Sequence, residues 1–106
     1  MVKQLEPLTE SYFYILLCLY ESANHGYGIM QRTDELTDGR VRIGSGTMYG
    51  AISKMIKKEY ITEQEGSDEK NRRRIYTITE LGKDILRSDC DRIDEMAKNI
   101  KSIMDR

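Results

Sequence analysis

The segment YFYILLCLY, residues 12–20, places an apolar side chain at nearly every position. Pro7 and Thr9 precede it, and the pattern predicts a helix that ends near Ser22. A helix that is apolar all round must be buried on more than one side. In a chain of 106 residues, whose own core is marginal, the segment therefore predicts both an intramolecular core and an interface with a second subunit. The segment is too short to span a bilayer and does not resemble a signal peptide, so we expect a cytoplasmic protein with no membrane partner.

Residue types that carry catalytic or metal chemistry are sparse. Cys18 and Cys90 are far apart in the sequence, which favours reduced thiols over a disulfide framework. His25 lies between Asn24, the predicted cap of a second helix, and Gly26, which favours a packing role at a helix start over a general base. Cys18, His25 and Cys90 also lack the spacing of zinc ligands. We therefore expect no enzyme, no metal site and no cofactor.

The second helix is followed by a short connection and then by a third helix. Apolar and small residues recur at helical spacing in the second helix, which is predicted to end at the turn signal Asp38-Gly39: these are Tyr27, Ile29, Met30, Thr33 and Leu36. Residues 40–43 are predicted to be a short extended strand.

The stretch GSGTMYGAISKMIK, residues 44–57, admits two interpretations, a phosphate-binding loop or a helix. Tyr49 stands where the third glycine of a dinucleotide fingerprint is required, and no Gly-Lys-Ser/Thr follows as in a P-loop. In a helix, by contrast, an apolar stripe forms on one face, from Met48, Ile52, Met55 and Ile56. The opposite face is small, polar and basic, with Gly46, Gly50, Ser53, Lys54 and Lys57.

Two glycines four residues apart in a helix each cost about 1 kcal/mol relative to alanine. Solvation explains the lysines of this face but not Gly46 and Gly50. We interpret the glycines as allowing the helix to approach another molecule closely.

The C-terminal part is predicted to contain a hairpin and a long helix. Residues 61–65 and the segment RRRIYTIT, residues 72–79, predict two strands with a long polar tip. Thr79 is predicted to cap the last helix, in which two sets of apolar residues repeat every seven residues: Leu86, Ile93 and Ile100, and Met96 and Ile103. This seam favours a partner helix. Asp89 interrupts it early, so we expect pairing to be strongest from Ile93 onward.

Charge is distributed unevenly along the chain. Residues 40–76 carry 9 basic and 5 acidic side chains, whereas residues 1–39 carry 2 basic and 6 acidic ones. A polyanion is expected to bind the middle third, although a mixed solvated surface is the alternative.

A helix–turn–helix followed by a basic hairpin suits DNA binding, because one helix can enter the major groove while the hairpin reaches phosphates. Ser45 and Thr47, near the start of the third helix, can donate hydrogen bonds to phosphate. For Tyr49, a phosphate contact and a half-buried packing role remain equally open. On the hairpin, Lys70, Arg72, Arg73 and Arg74 are predicted to add affinity rather than base choice, and the acids Glu63, Glu65, Asp68 and Glu69 dilute their charge.

Several segments resemble the signature segments of PadR-family bacterial transcriptional regulators: HGYGIM at 25–30, GSGTMYGAI at 44–52, YTITELG at 76–82 and FYILLCL at 13–19. The resemblance implies a winged-helix homodimer, joined through the first and last helices, that represses genes for detoxification, transport or stress responses. It also implies that the helix beginning near Ser45 is the recognition helix and that Tyr49 contacts phosphate. Ser45 stands where many relatives have proline, a change that should matter little at a helix start. The single long C-terminal helix resembles that of a short subgroup of the family. Two roles remain open for the apolar residues of this helix: they bind a small apolar effector between the subunits, or they simply form the dimer core.

The sequence thus predicts a mainly α fold with a small β-hairpin, a winged helix-turn-helix over residues 1–78 and a C-terminal dimerisation helix over residues 79–106. The predicted function is a repressor that binds a palindromic operator in double-stranded DNA as a homodimer; the alternative is a winged-helix adaptor that binds protein. Residues predicted to contact DNA are Ser45, Gly46, Thr47, Tyr49, Gly50, Ser53, Lys54, Lys57, Lys70, Arg72, Arg73 and Arg74. Residues predicted to form the dimer interface are Phe13, Leu16, Leu17, Tyr20, Ile93, Met96, Ile100 and Ile103.

Overall fold

The computed structural model describes residues 6–65 and 74–105 of the chain, except the side chain of Glu65. Four helices and an antiparallel hairpin follow one another, and the predicted mainly α fold with a small hairpin is confirmed. Their bounds are α1 Glu10–Glu21, α2 Gly26–Thr37, α3 Ser45–Lys57, β1 Ile61–Glu65, β2 Arg74–Ile78 and α4 Glu80–Met104.

Of the two residues predicted to cap helices, Thr79 is confirmed, and Thr9, which the sequence places before α1, caps that helix as well. The Thr9 side chain accepts a hydrogen bond from the Tyr12 N–H at 3.2 Å, and the Thr79 side chain accepts one from the Gly82 N–H at 3.0 Å. Each satisfies a backbone donor that a helix start leaves without a partner in the helix.

The prediction that Asn24 caps α2 is wrong. The cap is His25, whose Nδ1 accepts a hydrogen bond from the Gly28 N–H at 3.0 Å. Asn24 is held one residue earlier because its backbone bonds to Tyr76 of β2 in both directions, at 3.2 and 2.8 Å. Its side-chain oxygen accepts from the His25 N–H at 2.9 Å. A tertiary contact with the hairpin therefore overrides the cap preference of asparagine.

The connection between α2 and α3 is a turn, not a strand. Asp38 and Gly39 adopt positive φ values of 51° and 78°, which confirms the predicted end of α2. Residues 41–44 have no regular secondary structure, so the prediction of a short strand over 40–43 is wrong. The Thr37 side chain holds this connection by accepting a hydrogen bond from the Val41 N–H at 3.0 Å.

The core lies where the first three helices meet the hairpin and the first turns of α4. Its fully buried side chains come from every one of these elements, and they include Ile15, Leu16, Ile29, Met48, Met55, Ile61, Ile85 and Leu86. The residues that recur at helical spacing confirm α2 as a helix but differ in burial, because Ile29 and Thr33 are buried whereas Tyr27 and Leu36 are exposed.

The hairpin is attached to the start of α4 at short range. Its strands pair from Ile61 with Ile78 to Glu65 with Arg74. The Thr79 hydroxyl donates to the Tyr60 carbonyl at 3.0 Å, and a Cβ at Gly82 would collide with that same carbonyl oxygen. Gly82 thus allows α4 to begin directly against the strand, which fixes the hairpin relative to the helix.

The α4 helix leaves the core about halfway along its 25 residues. Ile85, Leu86 and Asp89 are buried, whereas Ile100 and Ile103 are 56% and 61% exposed. Asp89 is 1% exposed and pairs with Arg92 at 2.9 Å, and it marks the point where the seam leaves the core. Beyond it, Met96, Ile100 and Ile103 of the apolar stripe are exposed, whereas Ile93 is half-buried.

Candidate nucleic-acid interface

The two faces of α3 differ as the periodicity predicts. Its inner face is fully buried and consists of Met48, Ala51, Ile52 and Met55; Ile56, predicted for the same stripe, is half-buried. Its outer face is exposed and carries most of the residues predicted to contact DNA: Ser45, Gly46, Thr47, Gly50, Ser53, Lys54 and Lys57. Burial of the inner stripe therefore fixes which side chains α3 presents to solvent.

The glycines of the outer face are not required by packing. A Cβ built at Gly46 or at Gly50 meets no heavy atom within 4 Å. Both residues have ordinary helical φ values, so neither is needed for backbone conformation. The two positions leave a shallow, smooth strip along the first two turns of α3.

The start of α3 is suited to an anion. Its N-cap is Gly44, and no side chain among the described residues caps this end. The first N–H groups of the helix, at Ser45, Gly46 and Thr47, therefore point outward with the positive end of the helix dipole. The hydroxyls of Ser45 and Thr47 add two further donors beside them.

Positive charge lies at the other end of the same face. Within residues 6–65 and 74–105, neither Lys54 nor Lys57 takes part in an ion pair. Their full charge is available to a polyanion, in contrast to Arg74 on the hairpin. Arg74 pairs with Glu63 at 3.0 Å, which reduces its field at a distance. Lys70, Arg72 and Arg73, the other predicted hairpin contacts, lie outside the described residues.

Tyr49 lies on the flank of α3, with 51% of its surface exposed. The end of its ring that carries the hydroxyl packs against Gly26, the first residue of α2. The ring therefore packs against α2 while half of the Tyr49 surface stays exposed, and a contact of its hydroxyl with phosphate stays a prediction.

Two exposed residues next to this face were missed by the sequence reasoning. Tyr27, at the start of α2, and Arg42, just before α3, line one groove of about 300 Å³. Arg42 is exposed and pairs with Asp34 at 3.6 Å. In helix–turn–helix proteins the helix before the recognition helix crosses the DNA backbone, and this geometry is the signal that could have identified both residues.

The residues predicted to form a dimer interface fall into two groups. Phe13, Leu17 and Tyr20 lie on one face of α1 and are half-buried or exposed, and Ile93, Met96, Ile100 and Ile103 lie along α4. Leu16 is 0% exposed within its own subunit, so its assignment to an interface is corrected. A helix that is apolar all round gives no signal for which of its residues face inward.

The cysteines and acidic residues form no reactive centre in the part of the chain that the structure describes. Cys18 and Cys90 are free, and burial raises the pKa of both thiols, which lowers their reactivity. Residues 6–65 and 74–105 contain no group of three or more His, Cys, Asp or Glu that could hold a metal ion. No helix in those ranges is long and apolar enough to cross a membrane.

Comparison with known proteins identifies the arrangement. The chain is similar to a transcriptional regulator from Clostridium thermocellum, with 29% identity, a TM-score of 0.76, and coverage of 87% of this chain and 90% of that one. It is also similar in fold to a PadR family transcription regulator from Clostridium difficile, with 22% identity, a TM-score of 0.76, and coverage of 91% and 99%. No curated protein sequence matches.

The model of the transcriptional regulator PadR-like family matches residues 15–88. This range runs from the middle of α1 to the buried part of α4 and includes the whole outer face of α3. Members are DNA-binding transcription regulators rather than enzymes. The chain therefore belongs to the PadR-like family of transcriptional regulators.

Proposed function

We propose that this protein is a homodimeric repressor that binds a palindromic operator, with α3 of each subunit in the major groove. The observation that carries the proposal is the outer face of α3. Open space at Gly46 and Gly50 adjoins helix-start donors on one side and the cations Lys54 and Lys57 on the other. A major groove is wide enough to admit an α-helix, and residues without side chains let the helix backbone approach the base edges.

The roles within this face follow from chemistry. Ser45, Thr47 and the N-terminal N–H groups of α3 bind phosphate, and the Tyr49 hydroxyl donates to another phosphate. Ser53 is exposed on the same face, about one turn after Gly50, and is the candidate for base contacts. Lys54 and Lys57 bind the backbone where the helix leaves the groove. On the hairpin, Lys70, Arg72, Arg73 and Arg74 add affinity that does not depend on sequence.

The dimer is proposed to form through α1 and the free part of α4. The stripe from Ile93 to Ile103 exposes several large apolar side chains that a monomer would leave in water. In the proposed two-fold dimer, the two α3 helices lie on one side of the assembly. A palindromic site then has half-sites about one helical turn of DNA, roughly 34 Å, apart, or a multiple of it.

A separate part of the proposal is that a small apolar effector, bound between the subunits, releases the protein from its operator. The groove of about 410 Å³ beside the end of α2 is lined by polar and charged side chains, Gln31, Asp34, Glu35, Asp38 and Arg42, together with Gly39. Such a lining suits water rather than an apolar ligand. The exposed apolar surface of α1 and α4, which forms the proposed subunit interface, is the better candidate. Loss of operator binding when an apolar dye binds the protein would support an effector site there.

The experiment that tests DNA recognition is selection from a random pool. The purified protein is expected to enrich a palindromic motif, and its affinity for that motif should fall linearly with the logarithm of salt concentration. Enrichment of no motif, together with binding that is independent of salt, would refute the repressor and favour a protein-binding adaptor. Transcription from a promoter that carries the selected motif then distinguishes repression from activation.

A further inference from the structure

The first residue of α2, Gly26, is buried and lies beside α3. Its φ is not positive, so the backbone conformation does not call for glycine. A Cβ built on Gly26 would lie 2.7 Å from the Tyr49 hydroxyl oxygen, 3.1 Å from Cζ and 3.2 Å from Cε1. The missing side chain at Gly26 is therefore filled by the tip of the Tyr49 ring.

Whether a Cβ at residue 26 disturbs the fold depends on which atoms it would meet. At Gly82 the Cβ would meet the Tyr60 backbone carbonyl, which cannot move without moving the hairpin. At Gly26 all three nearest atoms belong to the far end of one side chain, and that side chain is half exposed. A methyl group at residue 26 would thus displace the Tyr49 hydroxyl while the fold stays in place.

From this contact we infer that Gly26 is a positioning residue for DNA binding, which acts by holding the Tyr49 hydroxyl at the junction of α2 and α3. The inference rests on the proposed function, in which that hydroxyl donates to a phosphate. A phosphate contact needs its donor within about 3 Å of the acceptor, so a shift of even a few tenths of an ångström matters. Gly26 itself touches no DNA in this arrangement.

The test is a double-mutant cycle measured on the operator selected from the random pool. Tyr49→Phe removes the hydroxyl and is expected to weaken binding about tenfold, the usual scale for one hydrogen bond to a charged group. Gly26→Ala alone should weaken binding by a similar factor. In the Tyr49→Phe background, and also in Tyr49→Ala, the Gly26→Ala change should cause little further loss, because the contact that it displaces is already absent.

Two further measurements separate positioning from stability. The melting temperature of Gly26→Ala should stay within a few degrees of the parent, whereas the NMR ring signals of Tyr49, assigned by comparison with Tyr49→Phe, should shift without DNA present. Gly28→Ala is the matched control, because a Cβ there meets the Asn24 side chain and not Tyr49. Its effect on affinity should add to that of Tyr49→Phe.

The possible outcomes distinguish the positioning role of Gly26, the phosphate contact of the Tyr49 hydroxyl and the proposed function. If Tyr49→Phe weakens binding but Gly26→Ala does not, the positioning role is overturned while the hydroxyl contact stands. Additive losses for Gly26→Ala and Tyr49→Phe also overturn it, as does a Gly26→Ala protein that unfolds and is restored by Tyr49→Ala. Full affinity in Tyr49→Phe refutes the hydroxyl contact, and failure of the parent to select any DNA refutes the proposed function itself.

Discussion

Substitutions at Gly50 distinguish what this position contributes to folding stability from what it contributes to DNA binding. Gly50 lies in the interior of α3, and a Cβ there has no heavy atom within 4 Å. Alanine is therefore accommodated without any shift and removes the conformational cost of glycine, about 1 kcal/mol. For a domain of this size that gain corresponds to a rise in melting temperature of about 5 °C.

The glutamate variant tests the other half of the argument. Gly50→Glu should fold, because its side chain points into open solvent in the free protein. In the proposed complex the same side chain would fill the space between α3 and the groove. Each nearby phosphate would add repulsion of about 1 kcal/mol even in water, and several contacts worth about 1–3 kcal/mol each would be lost. A loss of operator affinity of a hundredfold or more is expected.

The assay combines thermal melts with gel-shift titrations of Gly50→Ala, Gly50→Glu and Gly50→Gln. Glutamine matches the bulk of glutamate without its charge, so the difference between the two measures repulsion alone. Destabilisation by Gly50→Ala would show that Gly50 packs against a neighbour after all. A folded Gly50→Glu protein that binds the operator like the parent would show that this face of α3 does not read DNA.

Further predictions concern the dimer, the hairpin and the junction with α4. Ile100→Glu, which puts a charge in the seam, should give monomers in sedimentation where Ser102→Glu, on the exposed side of α4 away from the seam, leaves the dimer intact; a dimeric Ile100→Glu protein would refute the seam. Replacing Arg72 and Arg74 together by alanine should weaken operator and random DNA alike and flatten the salt dependence, and a loss confined to the operator would contradict this. Gly82→Ala should lower the melting temperature by 10 °C or so, since it costs about 2 kcal/mol to displace a packed backbone, and an unchanged melt would disprove the close approach.

Local pattern predicted the parts of the fold in which one face of an element is buried. The buried stripe of α3 follows from periodicity, and the Thr79 cap follows from a hydrogen bond to a residue only three positions away; both agree with the structure. The outer face of α3 was predicted by the same logic, as the complement of the buried stripe. Such features need no knowledge of the rest of the chain.

What the sequence did not predict depends on contacts between distant residues. Asn24 is a better cap than His25 by preference, but its pairing with Tyr76 moved the helix start. The burial of Leu16 depends on which side of α1 the other elements cover, and an all-apolar helix contains no such information. The contact of Gly26 with Tyr49 joins residues 23 positions apart, and nothing in the local sequence marks it.

The α4 helix links DNA binding to dimerisation, because one continuous helix packs against the core at its start and carries the dimer seam further along. At its start, Gly82 and Thr79 hold it against Tyr60, so the hairpin and the preceding α3 cannot turn independently of the first turns of α4. Together with its exposed C-terminal part, the 25-residue helix is about 37 Å long. In the proposed dimer the crossing of two α4 helices therefore sets the distance between the two α3 helices. A ligand that alters this crossing would change the half-site spacing that the dimer fits, without touching any residue that contacts DNA.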